Sequence, residues 1–472
     1  MGRMRKMGYD VIPQGWAKAK LRDVCDVVKK QVDPSQYPEQ TFNYLSIENI
    51  EPNTGRLTKF SPTLGRNIRS TKLAFAPGDI LYSKLRPYLN KVYSPQFEGV
   101  SDNDLIPLRP RPGIARDFLA HYLRTQDVTN YASSHMRGIQ LPRLPIEELM
   151  SIEIPLPPSR EQGRIVSKMD ELLSALRIAR ESVQKVPNLM RQFRRSVLAS
   201  AFRGKLTGRD SGDEQASDLL GEDLTDVLSS PSRAEEPLPL GWEWMRVRDI
   251  ADVRLGKQRS PRNRPGKYAK KYIRVANVFR DRIDLHDVKE MDFPPPESER
   301  YRLRKGDLLL CEGQSPELVG RCAIWNDEVP ECCFQNTLIR VRSSTVIPRY
   351  LLHVFAYAAD KGDFAELATQ GVNIAHLGAT RLAEYRIPLA PRQEQSRIVE
   401  AIDSLFEEGK VVEDRAGMAL AMTNQLEQAI LSEAFRGQLV LQDPNDEPAT
   451  VLLGRIRNQD TKRQGRKGSR TS

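Results

Sequence analysis

The feature that most constrains this chain is a long helical pattern that occurs twice. Ile154-Pro155-Leu156-Pro157-Pro158-Ser159-Arg160-Glu161-Gln162 returns as Ile387-Pro388-Leu389-Ala390-Pro391-Arg392-Gln393-Glu394-Gln395, an offset of 387 − 154 = 233. Ala201-Phe202-Arg203-Gly204-Lys205-Leu206 returns as Ala434-Phe435-Arg436-Gly437-Gln438-Leu439 at the same offset, 434 − 201 = 233. Equal offsets at both ends mean that the stretch between them has kept its length. In the first copy Ile165, Met169, Leu172, Leu176, Ala179, Val183, Val186, Met190, Phe193 and Val197 alternate in steps of four and three, the seam of a coiled coil. The second copy places Ile398, Ile402, Leu405, Gly409, Val412, Ala416, Ala419, Thr423, Leu426 and Ile430 on the same seam. Ser159 and Gln162 predict a capping box at the helix start, and Gly204 and Gly437 predict the ends. At roughly 1.5 Å per residue each rod is about 65 Å long, and Pro187 should kink or break the first. Neither rod buries its stripe alone, so the two are expected to pair antiparallel about a pseudo-two-fold axis. Small residues in the middle of the second copy would leave room for larger side chains of the first. The alternative is two separate amphipathic helices, each packed on its own domain.

The duplication extends into the flanking sequence. Pro13-Gln14-Gly15-Trp16 matches Pro239-Leu240-Gly241-Trp242, Tyr44–Ile50 matches Tyr272–Val278, Pro77-Gly78-Asp79-Ile80-Leu81 matches Lys305-Gly306-Asp307-Leu308-Leu309, and Gly138-Ile139-Gln140-Leu141 matches Gly371-Val372-Asn373-Ile374. Here the offset drifts from 242 − 16 = 226 to 233, so insertions sit in the globular parts and none in the rod. Runs such as Asn43–Ile50, Asp79–Ser83 and Asp104–Leu108, with Tyr272–Val278, Asp307–Cys311 and Thr337–Val341, read as strands, and Phe118–Thr125 and Tyr350–Tyr357 as helices. Each copy is therefore α+β. The expected organisation is a globular domain over 1–157, a long helix over 158–204, a flexible linker over 205–238, a second globular domain over 239–390, a second long helix over 391–437 and a basic, disordered tail over 438–472.

Five cysteines without a CxxC pair, and five histidines scattered away from them, predict neither a zinc site nor a disulfide framework, and suit a reducing cytoplasm. No apolar run reaches the length of a membrane span. The net charge of +10 is concentrated: residues 455–472 carry seven basic side chains against one acidic, 7 − 1 = +6. Charge alone does not make this a DNA-binding protein. Phosphate-loop, dinucleotide and HExxH patterns are absent, and Asp292-Phe293-Pro294-Pro295-Pro296 has the letters of an aminomethyltransferase loop in the wrong order. Asp102 with Asp104 and Asp307 with Glu312 are the nearest carboxylate pairs, and turn chemistry accounts for Asp307. No catalytic residue and no metal site is assigned.

What remains is an architecture for recognition: two diverged domains at the ends of a paired rod, a geometry suited to two separated half-sites on one duplex. Candidate DNA contacts are Lys84 and Arg86 in one loop and Arg137, Gln140 and Arg143 in another. In the second copy they are Arg254, Lys257 and Arg259, Arg321, and Gln370, Asn373 and His376. Arg, Gln and Asn suit base edges, Lys suits phosphate.

The two I-P-L-x-P-x-x-E-Q stretches, the A-F-R-G-x-L closures and the P-x-G-W starts resemble the specificity subunits of type I restriction–modification systems over nearly the whole chain. The resemblance implies two target-recognition domains joined by two long helices pairing as an antiparallel coiled coil, each domain reading half of a bipartite DNA sequence. It further implies no catalysis and no cofactor in this chain. The partners would be double-stranded DNA, two methyltransferase subunits using S-adenosylmethionine, and restriction subunits using ATP and Mg. Arg164, Arg194, Arg195 and Arg397 would be rim charges where methyltransferase subunits dock. Two other readings stand beside it: a self-sufficient DNA-modifying enzyme, and a coiled-coil scaffold that binds only protein.

Overall fold

The motifs repeated at the two ends of each globular region are hydrogen-bonded neighbours. This is seen in a computed structural model that describes residues 12–208, 210, 212–219, 237–259, 265–315, 318–370 and 375–468. Ala17–Lys20 pairs antiparallel with Glu153–Leu156, and Glu243–Arg246 pairs in the same way with Arg386–Leu389. Ala17 and Ala19 are buried and Lys18 and Lys20 exposed, the two-residue period of a half-buried strand. The run after each Gly-Trp is thus laid against the Ile-Pro-Leu run that leads into each long helix.

The chain divides into two compact units, residues 1–184 with 417–472, and residues 185–416. The first contains an antiparallel sheet in the order Cys25–Val27, Leu105–Pro110, Ile80–Ser83, Val92–Tyr93. A second sheet runs Gln31–Val32, Lys72–Phe75, Gly99–Ser101, Tyr44–Leu45. Helix Arg116–Leu123 shares a core with Ile80, Ile106 and Leu108. The second unit repeats the plan with Asp252–Leu255, Leu338–Arg342, Leu308–Cys311 and Cys322–Ile324, beside helix Pro348–Lys361. Asp79 and Asp307 each accept a backbone N–H of their own turn and a two-pronged guanidinium, Arg109 at 2.6 and 2.8 Å and Arg342 at 2.6 and 2.7 Å. The strand expected over Asn43–Ile50 stops at Leu45, because Asn49 turns back to accept the N–H of Ser46 at 2.8 Å and closes a 3-10 turn. Asn277 does the same to Arg274 at 3.1 Å.

Three long helices follow the repeat: α1 (Ser159–Val183), α2 (Val186–Ala201) and α3 (Arg392–Phe435). The break between α1 and α2 falls just before Pro187, which sits in the first turn of α2 where its missing N–H is harmless. In the first unit α1 runs antiparallel to the part of α3 from Gly417 on. Ile165 and Met169, fully buried, share a core with Leu431, Ala434 and Phe435, and Arg180 reaches Thr423, Asn424 and Glu427. In the second unit Val197, Leu198 and Ala201 of α2 pack with Ile398 and Ile402 of α3, and Arg194 reaches Glu413. A Cβ on Gly409 would meet Met190 Cε at 2.8 Å and Phe193 Cε1 at 3.5 Å, so the small residue does make room for large ones opposite.

Two expectations for these helices fail. Past Gly409 the strict seam is kept only in part: Thr423 is buried as expected, but Val412 and Leu426 are 48% and 51% exposed, and Glu413 and Glu427, one position on, face the opposing helix. A helix of 3.6 residues per turn drifts roughly 20° per heptad from a strict seven-residue stripe, and three heptads separate Leu405 from Leu426. Leu172, Leu176, Val183, Phe193, Leu405 and Ile430 are half-buried, and Met190 is 9% exposed. The capping box also does not form. Ser159 Oγ donates to the Gly113 carbonyl. Gln162 accepts the Ala115 N–H at 2.8 Å and donates to the Pro157 carbonyl at 3.0 Å. Gln395 repeats this with Ile347 and Ala390. These glutamines clamp each helix start to its globular region, and Trp242 Nε1 donates to buried Glu394 beside the second clamp.

The segments after the helices, where the sequence predicts a flexible linker and a disordered tail, both contain docked structure. Asp213-Glu214-Gln215-Ala216 and Asp446-Glu447-Pro448-Ala449 lie 446 − 213 = 233 residues apart, so the duplication continues past A-F-R-G. Ala216 N–H donates to the Gly241 carbonyl and Ala449 N–H to the Gly15 carbonyl. Arg397 pairs with Asp213, and Arg164 with Asp446 at 2.7 Å. Helix α4 (Ala449–Gly468) buries Ala449, Leu452, Leu453 and Ile456 in the first core. Ala216–Leu219 forms a 3-10 turn, and residues 220–236 of the expected linker lie outside the described residues.

Candidate nucleic-acid interface

In the first unit two loops selected from sequence are stitched into one surface. Strand Ile80–Ser83 runs into Lys84, and Arg86 and Asn90 take left-handed backbone (φ 49° and 47°) around a 3-10 turn over Pro87–Leu89. Arg86 N–H donates to the Pro142 carbonyl and Leu144 N–H to the Lys84 carbonyl, both at 2.8 Å, while Arg137 and Arg143 exchange backbone hydrogen bonds at 2.8 and 2.9 Å. Lys84, Arg86, Arg137 and Arg143 are therefore neighbours through backbone bonds alone, and Gln140 lies in the turn between Arg137 and Arg143.

Their side chains divide into two groups. Arg143 grips Asp104, Nε to Oδ1 at 2.9 Å and Nη2 to Oδ2 at 2.8 Å, and Lys84 Nζ stands 3.5 Å from the same carboxylate. The Arg143 hydrogen bonds hold the Asp104 carboxyl below the usual carboxylate range. These two cations brace the loops. Arg86 and Gln140 are exposed, and Arg137, 77% exposed at its side chain, stands 3.8 Å from Glu148. Beside them Ile139 is fully exposed, Leu141 48% and Tyr88 46%. Apolar tips next to Arg and Gln can touch thymine methyls and read base edges. Tyr88, Ile139 and Leu141 are not among the contacts expected from sequence. The signal available was an isoleucine and a leucine in a glycine-containing loop with no strand period.

The second unit repeats the stitching with different residues. Ala375–His376 pairs with Gly313–Gln314 and with Thr369–Gln370, and His376 Nδ1 lies 3.1 Å from Glu312 Oε2. Gln370 and His376 thus flank residues 371–374. Asn373, in that stretch, lies outside the described residues. The other candidates sit elsewhere. Lys257 is a correction: it is buried, its ammonium 2.6 Å from both Glu297 Oε2 and the Asp292 carbonyl and 5.0 Å from the Phe293 ring centre, so it holds the fold and is not presented to phosphate. Arg321 lies over the Phe279 ring and lines a cavity of about 500 Å³ with Arg194, Arg349, His353 and Asp403, on the helix side of the unit. Arg254 is on the edge strand of the sheet near Asp252, and Arg259 is exposed. Of the expected rim charges, Arg164, Arg194 and Arg397 are tied to Asp446, Glu413 and Asp213, while Arg195 is exposed.

The five cysteines are free and buried, and burial pushes the Cys25 thiol up to about 12. Among the described residues no helix is long and apolar enough to cross a membrane.

The family profile described as "Type I restriction modification DNA specificity domain" matches residues 13–188 and again 239–412. The type I restriction enzyme EcoKI specificity subunit of Escherichia coli K12 is 24% identical over 493 residues, covering 98% of this chain and 99% of the relative. The StySPI specificity subunit of Salmonella potsdam is 23% identical over 497 residues with the same coverage. Among solved structures, the HsdS subunit from Thermoanaerobacter tengcongensis aligns with a TM-score of 0.58 at 23% identity, covering 91% of this chain and 99% of that one. A chain from work on complex assembly and conformational transition of the type I R-M system aligns at 0.65, also at 23% identity and the same coverage. Neither the self-sufficient enzyme nor the protein scaffold finds support among these relatives. With its profile matched in both halves and its fold shared, the chain belongs to the type I restriction–modification DNA specificity family and carries two copies of the family's domain.

Proposed function

We propose that this chain is the sequence-specificity subunit of a type I restriction–modification complex and that each globular unit reads one half of a bipartite DNA target. The observation that carries this is the stitched loop surface, which presents Arg86, Arg137 and Gln140 beside Tyr88, Ile139 and Leu141 in the first unit. The hairpin flanking 371–374 is its counterpart in the second. Arg86 and Gln140 read base edges in the major groove, and Arg137 adds phosphate attraction. The paired helices set the unread spacer between the half-sites.

The helices also carry the partners. Met418, Met422 and Leu426, at i, i+4 and i+8 on α3, are 67%, 59% and 51% exposed, and Ile178 of α1 is 59% exposed. Leu189, Val411 and Val412 are exposed in the second unit. Large apolar side chains left outside a helix pair mark a protein-binding face, and methyltransferase subunits that use S-adenosylmethionine dock there. Restriction subunits, with ATP and Mg, join the same complex, which works on DNA in the cytoplasm. Charge reversal at Arg86 and Arg137 in the assembled complex tests the reading. Weakened DNA binding supports it, and binding identical to the parent would return the scaffold reading to the front.

A further inference from the structure

Four charges on the long helices divide by copy. Arg180 Nη2 meets Glu427 Oε2 at 2.8 Å in the first unit, and Arg194 Nη2 meets Glu413 Oε2 at 3.0 Å in the second, each pair no more than one-third exposed. The repeat offset maps Arg180 onto Glu413 and Arg194 onto Glu427 (413 − 180 = 427 − 194 = 233). The first copy thus has arginine at both positions and the second has glutamate at both. Suppose two first-copy helices from different chains paired in this register. Arg180 would then face Arg194 of the other chain, twice, and two second-copy helices would set Glu413 against Glu427.

The two ends of the seam offer little discrimination. Ile165 and Ile398, Leu198 and Leu431, Ala201 and Ala434, and Phe202 and Phe435 are the same residues at the same repeat positions. We propose that Arg180, Arg194, Glu413 and Glu427 are the determinants that make each first-copy helix choose a second-copy helix rather than its own kind in a second chain. Polar residues on a coiled-coil seam fix register and partner in this way, chiefly by penalising the wrong pair. Size matching at the same place points in the same direction: Met190 and Phe193 close on Gly409.

The test uses the full chain and two double variants of identical composition and net charge. In R180E/E427R one matched pair is inverted, so both pairs within the chain stay attractive, while pairing of like copies between chains is no longer penalised. In R194E/E427R the charges are crossed: Arg180 faces arginine and Glu413 faces glutamate within the chain, while pairing of like copies between chains becomes attractive. Mass is measured by light scattering over a concentration series, with the melting temperature of each variant. R180E/E427R is expected to melt as the parent does, because its intrachain pairs remain matched, and to dimerise less than R194E/E427R. R194E/E427R is expected to melt earlier or to form a concentration-dependent dimer, with the dimer-to-monomer ratio raised roughly tenfold or more. The quadruple variant R180E/R194E/E413R/E427R, in which both pairs are again matched, is expected to recover the parent's behaviour. Equal masses and equal melting for the two double variants, or a quadruple variant as impaired as the crossed one, would overturn the proposal.

Discussion

Replacing Phe435 by alanine should destabilise the first globular unit, although Phe435 belongs to the second sequence copy. Its side chain is fully buried, its ring 5.1 Å from those of Phe118 and Tyr122 on helix Arg116–Leu123. A buried Phe→Ala change costs about 3–5 kcal/mol, the cavity term included. For a cooperative unit of 150–250 residues each kcal/mol lowers Tm by roughly 2–4 °C, so a loss of about 10 °C is expected. Phe435→Leu keeps most of the volume and should cost less than about 1.5 kcal/mol. Hydrogen exchange locates the effect: F435A should deprotect Arg116–Leu123 and leave Pro348–Lys361 unchanged. Phe202→Ala should do the reverse, because Phe202 packs on Tyr350 and Tyr357 at 5.6 Å. A Tm loss under about 2 °C for F435A, or deprotection of Pro348–Lys361 instead, would refute the claim that each long helix ends in the core of the other copy's domain.

Three further outcomes follow from the same structure. Gln140→Ala in the assembled complex should relax base preference in one half-site by roughly 1–3 kcal/mol and leave the other half-site untouched, read from methylation of randomised targets. Asp403 should make the second unit acid-sensitive: burial raises its pKa, but hydrogen bonds from His353 and Arg349 outweigh this and bring it down to about 2. A depressed carboxylate stabilises above its unfolded value near 3.9 and loses that stability as pH falls through 2. Asp403→Asn should therefore lower stability by about 1 kcal/mol at neutral pH, after discounting for partial exposure, with the difference from the parent vanishing between about pH 4 and pH 2 in denaturant titrations. Adding four residues after Ala199, with four opposite them in α3, lengthens the helix pair by roughly 6 Å. The tolerated spacer should then grow by about two base pairs, and an unchanged spacer would contradict the helices' role in setting it.

The duplication, the long helices, their antiparallel pairing and the central strands were legible because they rest on periodicity and on motif spacing. Ile80–Ser83 and Leu308–Cys311 are short apolar runs after a Gly-Asp turn, which few other structures accommodate. What escaped the sequence depends on partners far along the chain. Gln162 has the spacing of a capping box, yet its amide goes to Ala115 in another loop. Lys257 looked like a loop cation, but Glu297, forty positions on, and Phe293 enclose it. Val412 and Leu426 fit a strict heptad that a helix of 3.6 residues per turn does not keep. The Asp-Glu-x-Ala repeat at 213 and 446 was visible at the same offset as the rest, but polar surroundings and tail charge led to its being read as linker. In the first unit residue types pointed to two loops that backbone hydrogen bonds bring together; which of their cations brace and which face outward is decided by Asp104, twenty and thirty-nine positions away from Lys84 and Arg143.

The most direct test of the central claim is a map of methylated adenines by long-read sequencing. The DNA is taken from cells expressing this chain with its methyltransferase subunit, with and without Arg86→Ala and Gln140→Ala. Methylation is expected at one bipartite motif with a fixed gap, lost without this chain, and relaxed in only one half of the motif by the substitutions. Methylation that persists unchanged when this chain is omitted would contradict the claim.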